Sequence, residues 1–454
     1  MKKITLAESS QLLDSRFIFG VATAAFQIEG GAGSRLPTIW DTFCAQPGRI
    51  KDGSDGQIAC DHIHRWQDDI ALIASLGVDA YRFSVSWARV LHADGSVNHE
   101  GMHFYLQLLD ALQARNIKAF VTLYHWDLPE HIQQQGGWLN RKTAWLFQDY
   151  ADKVSRAFGD KVYSYATLNE PFCSAYLGYE AGIHAPGVQN RRQGRQVAHH
   201  LLLAHGLAMQ VLQRNCPSAQ NGIVVNLSPC YPASDSEADK RAAAMADAYH
   251  NHWYLKPLLQ GRYPALLDEL PETERPDTEP GDLALIAQPL DYLGINYYTR
   301  TVFEATNSGW FRDVKPSVSP LTDMGWEIYP QGLTEILCGL PQQYAMPPVY
   351  ITENGAAMVD TLQVGGGLDG RVQDAERVAY FQQHLQAVEQ AMAQGVQVAG
   401  YFAWSLMDNF EWAEGYAKRF GIVYVDYPTQ QRILKDSGLA LQQLFRYKQQ
   451  RTAR

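Results

Sequence analysis

Two glutamates close two short apolar, β-branched runs: Glu170 in Thr167-Leu168-Asn169-Glu170-Pro171 and Glu353 in Ile351-Thr352-Glu353-Asn354-Gly355. The runs before them, Tyr163–Leu168 and Val349–Thr352, have the composition of strands, and Pro171 and Gly355 break them soon afterwards. Each carboxylate is therefore expected at the C-terminal lip of a strand. Remote in sequence but matched in context, the two read as carboxyl groups facing each other across one cleft. Such a pair can cleave an acetal. One carboxyl protonates the leaving oxygen while the other attacks the anomeric carbon or activates water, which is the chemistry of glycoside hydrolysis.

The elements needed to hold that pair recur along the whole chain. Apolar β-rich runs occur at Phe17–Ala24, Ala80–Val85, Ala119–Leu123, Tyr163–Leu168, Ile223–Asn226, Tyr292–Asn296, Val349–Thr352 and Ala399–Ala403. Between them lie amphipathic stretches such as Trp66–Leu76, His103–Arg115, Trp145–Phe158, Val197–Asn215 and Ala375–Gln394. This alternation, without an internal repeat or a linker, predicts an α/β fold: one closed parallel (β/α)₈ barrel as a single domain over residues 1–454. A doubly wound open sheet is the structural alternative. Pro271–Asp282 and Gly365–Gly370 are expected as surface connections.

A barrel builds its active site from the C-terminal strand ends. Here these ends supply Gln27 and Glu29, then Arg82 and Trp87, His125 and Trp126, and Asn169 and Glu170. Asn226 ends the fifth strand, Asn296 and Tyr298 the sixth, Glu353 the seventh and Trp404 the eighth. Amides, carboxylates and an imidazole can bond the hydroxyls of a polyhydroxylated ring, while flat aromatic faces stack on its C–H surface.

Composition narrows the partners. With 48 acidic against 38 basic residues the formal charge is −10, and no basic run or stripe appears, so nucleic acid is excluded as a partner. Met1-Lys2-Lys3 leads through Ile4-Thr5-Leu6 straight into Ala7-Glu8-Ser9-Ser10, with no apolar core of a signal peptide. No run approaches the ~18 apolar residues of a membrane span. The six cysteines, Cys44, Cys60, Cys173, Cys216, Cys230 and Cys338, form no CxxC, which points to reduced, mostly buried thiols and a cytoplasmic location.

Two further signals are set aside. Gly365-Gly366-Gly367-Leu368-Asp369-Gly370 fits a dinucleotide fingerprint but does not leave a strand directly, so a loop explains it better. His62 and His64, and the cluster His199, His200 and His205, lack the spacing and acidic partner of a zinc helix and read as structural. No metal and no cofactor is required, because two carboxylates already supply acid and nucleophile.

Taken together, certain stretches resemble glycoside hydrolase family 1, the β-glucosidase family, over essentially the whole length. They are Phe19-Gly20-Val21-Ala22-Thr23-Ala24-Ala25-Phe26-Gln27-Ile28-Glu29-Gly30, Tyr81-Arg82-Phe83-Ser84-Val85-Ser86-Trp87 and Thr122-Leu123-Tyr124-His125-Trp126-Asp127-Leu128-Pro129. Thr167-Leu168-Asn169-Glu170-Pro171, Leu293-Gly294-Ile295-Asn296-Tyr297-Tyr298 and Tyr350-Ile351-Thr352-Glu353-Asn354-Gly355 continue the series, which ends at Trp404-Ser405-Leu406-Met407-Asp408-Asn409-Phe410-Glu411-Trp412. The resemblance implies a (β/α)₈ barrel and retaining hydrolysis through a covalent glycosyl-enzyme. It makes Glu170 the general acid/base and Glu353 the nucleophile, with Arg82 and Tyr298 expected beside Glu353 to favour its charged form. It gives Asn169 the sugar 2-hydroxyl, and Gln27, His125, Trp126, Glu411 and Trp412 the rest of the sugar subsite. Trp404 becomes the floor under the ring, Phe420 its far end and Asn296 a support on the nucleophile side. Trp326 is an aglycone platform or a loop-packing residue, and Arg82 is either catalytic or a structural counter-charge.

Members of the family that cleave phosphorylated sugars place Ser, Lys and Tyr after the eighth strand; here those positions are Glu411, Lys418 and Phe420. A carboxylate repels a phosphate and a phenyl ring cannot donate to one, so an unphosphorylated β-glucoside is expected, with β-galactosides or β-fucosides as side substrates. Phe172 stands where the family often has Trp, leaving cellobiose, short cello-oligosaccharides and aryl glucosides open as substrates. The alternatives are a 6-phospho-β-glucosidase and a non-hydrolytic sugar-binding protein on the same barrel.

Overall fold

Eight parallel strands close on themselves in the computed structural model, which describes residues 2–316, 320–363 and 370–452. They are β1 (Ile18–Ala22), β2 (Ala80–Ser84), β3 (Lys118–Tyr124), β4 (Ser164–Asn169), β5 (Gln220–Asn226), β6 (Tyr292–Asn296), β7 (Val349–Asn354) and β8 (Val398–Trp404). Each strand pairs with its neighbours in sequence, and β1 meets β8 from Ile18 opposite Gly400 to Ala22 opposite Trp404. That last pairing rules out the open sheet, which would leave both strands as edges. Strand residues are buried almost throughout, as expected for strands with a filled interior on one side and helices on the other.

The floor of the barrel is aromatic. Phe120 lies 4.8 Å from Phe402 and 5.3 Å from Tyr350, and Tyr350 lies 5.3 Å from Tyr292, measured between ring centroids. Glycines on the intervening strands make room for these rings. A Cβ on Gly20 would stand 2.3 Å from the Phe402 ring, and one on Gly400 would stand 2.9 Å from Tyr350. Each buried ring contributes roughly 1.5–3 kcal/mol. The interior is thus a packed plug, and only the strand ends above it are available to a ligand.

Helices His62–Leu76, His99–Gln113, Thr143–Phe158, Arg191–Asn215, Pro330–Gln343, Ala375–Ala393 and Asp436–Thr452 accompany the strands. Several begin before the apolar periodicity does, because a polar cap starts the helix earlier. Asn98 Oδ1 accepts the Glu100 N–H at 3.2 Å, and Asn190 Oδ1 accepts that of Gln193 at 3.1 Å. Beyond β5 and β6 the chain adds a three-stranded sheet, Cys230–Pro232, Thr301–Ala305 and Phe311–Val314.

One expected surface connection is only partly exposed. Within Pro271–Asp282 the acidic stretch before Asp282 is largely exposed, but Asp282 itself is buried. It accepts from Arg141 and from His199, each at 2.8 Å, because a carboxylate inside the protein needs such partners. Of the glycine-rich run Gly365–Gly370, all but Gly370 lies outside the described residues. Among the described residues, no helix is long and apolar enough to cross a membrane.

Candidate active site

Glu353, near the end of β7, meets a cation from across the barrel. Arg82 Nη1, on β2, donates to Glu353 Oε1 at 2.6 Å, and the Tyr298 hydroxyl donates to Oε2 at 2.5 Å. The same guanidinium reaches Asn169 Oδ1 through Nη2 at 2.6 Å. Glu170 follows β4 directly, with a left-handed φ of 48° that costs a non-glycine residue about 1–2 kcal/mol. In a regular strand consecutive side chains point to opposite faces. Here the left-handed step lets Asn169 and Glu170 face the same way, and both accept from Asn296 Nδ2, at 3.1 and 2.6 Å.

Asn296 bonds one of the two carboxyl groups directly and, through Asn169, is linked to the Arg82 that holds the other. Thr352 Oγ1 donates to its Oδ1 at 2.7 Å, which fixes the amide with its N–H₂ toward the cleft. That N–H₂ bonds Glu170 Oε1 and also favours the charged form of Glu353. The second Glu170 oxygen, Oε2, accepts from Cys173 Sγ at 3.0 Å.

The electrostatics separate the pair. Burial and then the negative charge of Glu353 raise Glu170 to about 7. Burial raises Glu353 as well, but the Arg82 cation and the Tyr298 hydroxyl oppose it, so Glu353 is the better ionised of the two. Glu411 is raised to about 8, by burial first and then by the charges of Glu353, Glu414 and Glu170. His125 is held well below its ordinary value by burial and by Arg82, and is neutral. Its Nε2 accepts from Asn169 Nδ2 at 3.2 Å, leaving the ring proton on Nδ1.

The rest of the lining lies around this centre. Gln27 Nε2 donates to Asn409 Oδ1 and to the Phe410 carbonyl, each at 2.9 Å, and to Glu411 Oε2 at 3.5 Å. Trp404 and Trp412 lie nearly parallel to the His125 ring, at 5.9 and 6.0 Å, and Trp126 is 4.8 Å from Trp412. Trp126 Nε1 donates to the Asn169 carbonyl at 2.9 Å, and both Trp126 and Trp412 hold left-handed φ values. Half-buried Trp326 stands 5.5 Å from Tyr298 and 6.0 Å from Phe420. Lys418 is already engaged by Asp323, whose carbonyl it meets at 2.6 Å and whose carboxylate it meets at 3.1 Å. Phe172 packs 4.9 Å from Tyr176 and 4.9 Å from His250.

Two strand-end residues do not join the mouth. Glu29 is a buried partner of Arg89 at 2.8 Å and of the Tyr105 hydroxyl at 2.5 Å, because it follows the short helix Ala25–Ile28 rather than the strand itself. Trp87 stacks on Tyr150 at 4.9 Å in the outer core. The histidines set aside earlier make hydrogen bonds within the fold: His62 with Asp69, His199 with Asp282 and Tyr263, His200 with the Trp138 carbonyl, and His205 with Thr167. All six cysteines are free thiols, three buried and three half-buried.

Sequence reasoning missed the groups that hold the site from behind. The loop after β8 that carries Glu411 is anchored by buried Asp408, which accepts from Lys435 and Arg419, each at 2.6 Å. Lys435 also donates to Asp360 at 2.5 Å. Asp408 was within a quoted motif, but nothing in the sequence around Lys435 signals a buried cation. Cys173 stands out in the sequence only as one of six reduced thiols, with nothing to connect it to Glu170.

The profile of glycosyl hydrolase family 1 matches residues 9–450. A beta-glucosidase of Agrobacterium sp. is 44% identical over 430 residues, covering 93% of each chain. A bifunctional beta-D-glucosidase/beta-D-fucosidase of Bifidobacterium breve is 44% identical, covering 93% of this chain and 95% of its own. Among solved structures, the family 1 β-glucosidase of Thermotoga maritima in complex with isofagomine lactam superposes with a TM-score of 0.92. It is 42% identical, covering 96% of this chain and 98% of its own.

Proposed function

The chain belongs to glycosyl hydrolase family 1, and from that membership we propose how its mouth works as the catalytic centre of a retaining β-glucosidase. The protein is an O-glycosyl hydrolase that releases terminal non-reducing β-D-glucosyl residues by double displacement. Glu353 attacks the anomeric carbon while Glu170 protonates the departing oxygen. Once esterified, Glu353 carries no charge, so Glu170 ionises more readily and takes the proton of the incoming water.

The observation that carries these assignments is the asymmetry around Asn296. Its amide donates to Glu170, whereas Glu353 takes the cation Arg82. A retaining mechanism requires the two carboxyl groups about 5–5.5 Å apart, rather than the 6.5–9.5 Å that leaves room for a water. Asn169 is aligned for the 2-hydroxyl; Gln27, His125, Trp126, Glu411 and Trp412 bind the other hydroxyls and edges of the sugar. Trp404 lies under the ring, Phe420 closes its end and Trp326 receives the aglycone.

The substrate reading is an unphosphorylated β-glucoside, with cellobiose and short cello-oligosaccharides as natural candidates and β-galactosides or β-fucosides as side substrates. Supporting it, Glu411 is a carboxyl group, Phe420 offers no donor and Lys418 is occupied by Asp323. Free thiols suit a reducing, cytoplasmic setting, and the whole chain is read as one catalytic domain. A panel of aryl glycosides varied in sugar, anomer and 6-phosphorylation tests this, with product stereochemistry read by NMR. First-formed β-glucose from the free β-glucoside is expected. First-formed α-glucose, or strong preference for the 6-phosphate, overturns it.

A further inference from the structure

Cys173 opens the π-helical turn Cys173–Glu180, three residues after Glu170. Its backbone N–H donates to the Glu170 carbonyl at 2.9 Å, and its thiol donates to Glu170 Oε2 at 3.0 Å. Both bonds close the same turn, and Pro171 restricts the torsion within it. The thiol is buried and held against the carboxyl group rather than free to swing away.

The two oxygens of Glu170 therefore have unequal partners. Oε1 receives the fixed Asn296 amide at 2.6 Å, which suits the carbonyl oxygen of a neutral acid. The proton then belongs on Oε2, the oxygen beside Cys173. A thiol is a weak donor, so it gives the carboxylate only modest support and lets Oε2 gain and lose its proton. A hydroxyl in the same place would donate more strongly and hold the group ionised, whereas a methyl would give it nothing. The other groups acting on Glu170 come from elsewhere in the mouth: Glu353, Arg82, Asn296, Tyr298 and Glu411.

Resting on the reading of Glu170 as the acid/base, we infer that Cys173 is a positioning residue for this reaction. Its weak hydrogen bond keeps one carboxyl group able to act as acid in the first step and base in the second.

The test is the pH profile of kcat/KM for Cys173→Ser and Cys173→Ala, measured with a β-glucoside whose leaving group needs protonation. The basic limb is expected to move down in the serine variant and up in the alanine variant, each by about half to one pH unit. A limb unmoved in both, moved the same way in both, or replaced by a uniform loss at every pH overturns the inference. If the alanine variant fails to fold, the near-isosteric serine variant decides alone: a downward shift supports the inference and no shift overturns it. Glu170→Gln is the control. A basic limb that survives that change belongs to another group such as Glu411, and it is then the acid/base reading that fails. A limb lost in Glu170→Gln but indifferent to Cys173 sinks only the role given to the thiol.

Discussion

Arg82 and Glu353 stand on β2 and β7, far apart around the barrel, yet their side chains meet at 2.6 Å, with 2% and 4% of the side chains exposed. An ion pair this buried is held by its partners, and removing one leaves the other uncompensated. Arg82→Met is expected to lower kcat/KM by roughly 10²–10³-fold, the scale of losing one preorganised electrostatic group. It should also move the acidic limb of the pH profile upward, because Glu353 loses the cation that favours its charged form. A variant with wild-type kcat/KM and an unmoved limb would reduce Arg82 to a structural counter-charge.

Replacing Glu353 with Ala removes the attacking carboxylate. Hydrolysis of an aryl β-glucoside should fall by on the order of 10⁴-fold or more. Azide, small enough to occupy the vacated space, should restore part of the activity and give the α-glycosyl azide by a single inversion. NMR of the azide product decides the matter: no rescue, or a product of retained configuration, removes Glu353 from the nucleophile's role.

Glu170→Gln keeps the shape of the side chain but cannot supply a proton. Alkyl and oligosaccharide leaving groups should slow by about 10²–10⁴-fold, while an activated nitrophenolate, which leaves without help, should lose far less in the glycosylation step. Equal losses for both classes of substrate would count against Glu170 as the acid.

The pH dependence follows from the same pair, with the sign set by which form works. Glu353 must be ionised, so activity falls as pH drops through the lower apparent pKa of the pair. Glu170 must start protonated, and its value of about 7 places the loss of kcat/KM on the alkaline side, as pH rises through that region. A profile that stays flat from neutrality to pH 9 with a poor leaving group would contradict this.

Stability should hinge on a group with no part in the chemistry. Lys435 is fully buried between Asp408 and Asp360, and Asp408 anchors the loop bearing Glu411. Lys435→Met leaves two buried carboxylates short of a cation and is expected to cost about 3–5 kcal/mol. The denaturation midpoint should fall clearly below that of the wild type, with weaker binding of glucose-like inhibitors. An unchanged midpoint would mean that Arg377, which pairs with Asp360 at 2.8 Å, and Arg419, which pairs with Asp408, suffice for these aspartates.

Much of this molecule is legible in its sequence because strand ends in a barrel are a local property. An apolar run stopped by Pro171 or Gly355 tells where a strand ends, and a barrel directs whatever stands there toward one mouth. Glu170, Glu353, His125, Trp126 and Asn296 could be named on that basis. The same rule misplaced Glu29, because the short helix Ala25–Ile28 intervenes between strand and side chain and turns it toward Arg89. What only the tertiary structure decides are the relations between elements distant in sequence. The amide of Asn296 on β6 reaches Glu170 after β4, the guanidinium of Arg82 crosses to β7, and Lys435 is buried beneath the loop after β8. Hydrogen bonds and charge interactions act over a few ångströms through space, so their strength depends on closing the ring of strands and not on the order of residues along it.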